Sequence, residues 1–105
     1  MTTVHKDIRG SWRAQNDYEL GNNKVLQIST SKVSDGSIVT RATVHMHDGA
    51  FLSHRMFTDF SQCIKTSRDR CTEKNVTAQH TAAVAKLAEI KEAVTAWYAK
   101  EEATA

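Results

Sequence analysis

Three imidazoles are the side chains with the clearest capacity for chemistry. His45 and His47 stand two apart, so on a strand they share one face. If Asp48-Gly49 closes a two-residue hairpin, His54 comes onto the neighbouring strand, on the same face and diagonal to His45. Three imidazoles so placed could supply three ligands of an open zinc site, with the fourth position left for a hydrolytic water. The competing reading is three solvated histidines on an exposed face. No Cys, Asp or Glu stands where it would orient the rings, and Asp48 belongs to the turn. We therefore assign no metal and no cofactor from the sequence.

The same face collects Lys32, Arg41 and Thr43 beside His45, His47 and His54, and a polar connector adds Arg68, Arg70 and Lys74. Such a surface could follow a phosphate backbone. Single-strand binders also offer aromatic platforms for stacking, whereas Trp12, Tyr18, Phe51 and Phe57 count onto the opposite side. His80 sits within an apolar helical stripe and reads as a packed core or interface residue with a hydrogen-bonding neighbour. Cys63 and Cys71, eight apart, read as free thiols, Cys63 on the apolar side of a short helix. There is no Gly-x-Ser-x-Gly elbow and no Gly-rich phosphate loop, and the four glycines, at 10, 21, 36 and 49, all read as turn residues. The expectation is a chain that is not an enzyme.

The elements that hold these residues follow from two Asp-Gly pairs, Asp35-Gly36 and Asp48-Gly49, read as two-residue hairpin loops. Counting outward, Val33 faces Ile38 and Gln27 faces Val44. Across the second turn Met46 faces Phe51. Val25, Val33, Ile38, Ala42, Val44, Met46, Phe51 and Phe57 then share a core face, which leaves Leu26, Ile28 and Leu52 on the polar one. Upstream, Trp12, Ala14, Tyr18 and Leu20 alternate with Arg13, Gln15, Asp17 and Glu19 as in a half-buried strand. A turn at Asn22-Asn23 would bring Leu20 opposite Val25. Asp59 and Gln62 resemble a capping box opening a short helix that ends near Arg68, with Phe60, Cys63 and Ile64 inward. Val76, His80, Ala83, Val84, Leu87, Ile90, Val94 and Tyr98 make one side of a single long helix.

The expected fold is α+β: a four-stranded antiparallel meander over 11–57, packed on one face by a short helix and a long amphipathic C-terminal helix. Residues 1–10 read as a flexible N-terminus and 11–105 as one domain. The long helix would overhang so small a sheet, so Val94, Trp97 and Tyr98 are expected to face a second copy in a homodimer. With 40% hydrophobic and 25% charged residues and a net charge of +2, the chain has the composition of a soluble globular domain and too little charge for a dedicated polyanion binder. No apolar run suits a membrane span or signal peptide, so the expected location is the cytoplasm. In outline, the order of four antiparallel strands and a C-terminal helix is similar to small dimeric single-strand-binding modules, though no motif residue carries the likeness further. The functional expectation is a small non-enzymatic protein-binding module of the inhibitor or adaptor type, acting through its polar sheet face. A single-stranded nucleic acid is the alternative partner, and the histidine-ligated metal site is the third reading.

Overall fold

A computed structural model describes residues 2–21, 24–46 and 58–104. Five strands, β1 (Thr3–Lys6), β2 (Trp12–Gly21), β3 (Lys24–Lys32), β4 (Ile38–Met46) and β5 (Thr58–Ser67), precede two helices, α1 (Glu73–Val84) and α2 (Leu87–Thr104). The strands form one antiparallel sheet in the order β1-β2-β3-β4-β5. The class is α+β as expected, with five strands where four were expected. The extra strand at the start is β1, which pairs with β2 from Thr3↔Gln15 to Lys6↔Trp12, inside the segment read as a flexible terminus. The strand expected over 51–57, with its Asp48-Gly49 turn, lies outside the described residues.

Two loops of the same build close the first and third hairpins. In one, Asp7 N donates to the Ser11 carbonyl and Gly10 N to the Asp7 carbonyl; in the other, Val33 N donates to the Ser37 carbonyl and Gly36 N to the Val33 carbonyl. Each is a three-residue loop whose third member is a glycine with positive φ, 81° at Gly10 and 91° at Gly36. An aspartate braces each: Asp7 Oδ1 accepts from Arg9 N and Ser11 N, and Asp35 Oδ1 from Ser37 N.

That third loop residue corrects the predicted register. Lys32, not Val33, pairs with Ile38, and Leu26, not Gln27, pairs with Val44. A shift of one residue exchanges the two faces of a strand. Leu26 and Ile28 are accordingly 0% exposed in the core, while Val33 lies in the loop at 36%. On the other side of β3, Gly21 pairs with Lys24, and a bulge between Glu19 and Gly21 moves the pairing to Glu19↔Val25 where Leu20 was expected opposite Val25; the Asn22-Asn23 turn itself lies outside the described residues. The two offsets cancel, so β2 and β4 keep the faces read from sequence and only β3 is inverted.

The short helix expected from Asp59 to Arg68 is instead β5. Phe60 and Ile64, four apart, fit a helical side and also alternate positions of a strand, so they do not discriminate. Cys63 does, for on a helix it would join them, and it is exposed. Pairing with β4 from Ile38↔Ser67 to His45↔Thr58 prevails over the local capping pattern. The long helix is two helices. Thr72 caps the first by accepting from Asn75 N at 3.1 Å, and a tight turn in which Lys86 N donates to the Ala83 carbonyl separates it from the second. The apolar stripe continues across the break. Val76, His80 and Ala83 on α1, and Ile90 and Val94 on α2, are buried against one side of the sheet. Among the described residues no helix is long and apolar enough to cross a membrane.

Candidate functional site

Because the stripe packs on one side, the other side of the sheet carries the alternate residues of every strand. Its central row runs Thr3, Gln15, Ser29, Arg41 and Cys63 across all five strands, and the next runs Asp17, Gln27, Thr43 and Ser61. Short polar side chains dominate, and several are already engaged. Gln15 Nε2 donates to both Asp17 oxygens at 3.2 Å, and Gln27 Nε2 to Asp17 Oδ1 at 3.3 Å. Thr43 Oγ1 and His45 Nε2 are 2.7 Å apart. Arg41 and Arg13 stand exposed on the face.

Of the residues expected to form a partner site, the structure brings Arg41, Thr43 and His45 together here. Lys32 does not join them: pairing with Ile38 places it on the helix-covered parity, exposed at the end of β3. His47 and His54 lie outside the described residues. Among the described residues no three His, Cys, Asp or Glu side chains converge as metal ligands. Trp12 packs against the core cluster around Ala14, Ile38 and Val76, and Tyr18 against the larger one, so neither is a stacking platform on this face.

The covered side holds a polar feature that sequence reasoning found only in part. His80 is 0% exposed, with Nε2 at 2.7 Å from Asn16 Oδ1 and Nδ1 at 2.8 Å from Thr30 Oγ1. An amide oxygen only accepts, so His80 Nε2 carries the proton and Nδ1 accepts from the Thr30 hydroxyl. Thr30 Oγ1 must then accept from Thr40, 2.7 Å away, and Thr40 Oγ1 accepts from Gln79 Nε2 at 3.1 Å. At the far end Asn16 Nδ2 donates to Tyr18 Oη at 2.9 Å. One directed chain of hydrogen bonds thus crosses three strands and α1. Burial pushes the His80 pKa below its ordinary value, which keeps the ring neutral and the chain one-directional. The signal available in the sequence was Asn16, a polar residue sharing the parity of Ala14 and Tyr18, and Thr30 and Thr40, paired once the loop is counted as three residues.

The residues expected at a dimer interface are used within the chain. Val94 is 4% exposed in the core. Trp97 meets the Phe60 ring edge-on at 6.2 Å and the Tyr98 ring at 4.9 Å, and Lys24 Nζ lies 3.7 Å over the Tyr98 ring. The fifth strand supplies the sheet that the overhang argument lacked. The chain matches no protein-family model, and comparisons with curated proteins and with solved structures return no match.

Proposed function

We propose that this chain is a non-enzymatic protein-binding module whose bare sheet face makes the contact. The observation that supports the reading is the one-sidedness of the packing: both helices contribute buried residues to the same side, and among the described residues none packs over the five-stranded surface on the other, where Gln, Ser and Thr predominate and Val25 and Val39 are the apolar members of β3 and β4. The sequence argument for a protein partner used Leu26 and Ile28 as apolar contacts. Both are core residues, and Leu52 lies outside the described residues. Two other features take their place. Arg13 and Arg41 are balanced on this face by Asp17 and Glu19, and among the described residues no Phe, Tyr or Trp ring lies on it. A phosphate backbone calls for net positive charge, and unpaired bases call for stacking rings. A charge-balanced, hydrogen-bonding surface suits a protein partner better. A second copy of the chain is one such partner, although Val94, Trp97 and Tyr98 no longer argue for it.

The test is affinity capture from the source cells with paired baits, the native chain and a Ser29→Arg variant that places a long cation at the centre of the face. A protein retained by the first and lost from the second supports the reading. Identical capture by both, or salt-dependent binding of single-stranded oligonucleotide that Arg41→Glu removes, turns the assignment to another surface or to nucleic acid.

A further inference from the structure

On the helix side of the molecule, remote from the bare face, lies an open cleft of about 400 Å³ bounded by Leu20 on β2, Lys24 on β3, and Lys91, Val94, Thr95 and Tyr98 on α2. Clefts that hold small ligands run from roughly 300 to 1,000 Å³, so this one suits a small molecule. Its floor is apolar, with Val94 in the core and Leu20 packed against the same cluster. Its rim carries two ammonium groups from different elements. Lys24 Nζ sits over the Tyr98 ring, and Lys91 Nζ lies 5.7 Å from the centre of the Tyr18 ring. The negative faces of the rings hold the cations in place without neutralising them. Among the described residues no carboxylate lines the cleft. The Thr95 hydroxyl donates to the Lys91 carbonyl at 3.0 Å, and the two lysines are the cationic donors of the lining.

From this combination we infer a binding site for a small amphipathic anion, a monocarboxylate with a hydrocarbon chain of medium length. The carboxylate bridges Lys24 and Lys91, and the chain lies on Leu20 and Val94. With two lysines at the rim, the site matches a ligand of one or two negative charges. The site does not depend on what the sheet face binds, so either proposal can fail alone.

Octanoate is the probe, titrated into the full chain by calorimetry and by the emission of Trp97, whose ring packs edge-on against Tyr98 of the cleft wall. Octanol and octylamine serve as matched controls. Octanoate is expected to bind saturably, octanol at least tenfold more weakly, and octylamine not at all. Lys91 is exposed, so Lys91→Ala keeps the fold and is expected to weaken octanoate roughly tenfold, with Lys91→Glu abolishing it. Lys24→Ala repeats the test from the other wall. Octanol binding as tightly as octanoate, undiminished binding by Lys91→Glu, or no saturation by octanoate in the millimolar range would each overturn the proposal.

Discussion

His80 shows how one buried side chain can specify a structure through direction as well as contact. Its ring bonds Asn16 and Thr30 on two different strands, so the imidazole ties α1 to a single alignment of β2 and β3. Removing it in His80→Ala leaves two buried partners unsatisfied and opens a void. The expected loss is about 3 kcal/mol in denaturant unfolding, and a loss under about 1 kcal/mol would mean that water replaces the ring. The protonation state gives a second readout. Burial holds the folded-state pKa below the ordinary value of 6.5. As pH falls through 6.5 the unfolded chain takes up a proton that the folded chain refuses. Stability is therefore full above that pH and declines below it, by up to ~1.4 kcal/mol per pH unit, until the folded-state value is passed. The His80→Gln variant should lose this component, and superimposable pH profiles of the two proteins would refute the assignment. That His80 is packed and hydrogen-bonded was legible from its place in the apolar stripe. Its partners were not, because Asn16 and Thr30 are polar residues at core positions and no periodicity rule selects such positions.

At the scale of the element, the chain repeats one device: an aspartate-braced loop ending in a left-handed glycine. Gly36→Ala forces a side chain into that conformation and should lower stability by about 1 kcal/mol. Gly36→Asn, which tolerates the conformation better, should lose less. Equal losses in the two variants would indicate that the loop is not held as described. The hairpins themselves were legible, since Asp-Gly with flanking alternation announces a reversal. The loop length was not. Two- and three-residue loops share this dipeptide, and the one-residue difference decides whether Leu26 and Ile28 or Val25 and Gln27 are buried. In β5 the difficulty was of another kind. Phe60 and Ile64 satisfy two periods at once, and only the pairing with β4, a contact distant in sequence, resolves them. The helices fared better because a stripe from Val76 to Val94 admits one period only. Their break at Ala85–Lys86 is marked by no Gly or Pro and rests on backbone geometry alone. Thr72 is the cap that starts them, and Thr72→Ala should cost about 1 kcal/mol, read as a lower thermal midpoint with unchanged helical signal at low temperature.

Considered as a whole, the described residues put most of the apolar side chains and the directed polar chain on one side of the sheet and mainly polar side chains on the other. The proposed contact surface and the lysine-rimmed cleft stand on opposite sides, so substitutions in one should leave the other unaffected. Ser29→Arg should abolish partner capture with octanoate binding intact, and Lys91→Glu the reverse. Loss of both by either substitution would point to a damaged fold. Every functional statement depends on which residues of β3 face outward, and thiol accessibility measures that directly. In a background with Cys63→Ser and Cys71→Ser, Ser29→Cys should react with a maleimide reagent within the time of a model thiol, and Thr30→Cys only at the rate of unfolding. Fast labelling at 30 with protection at 29 would contradict the account.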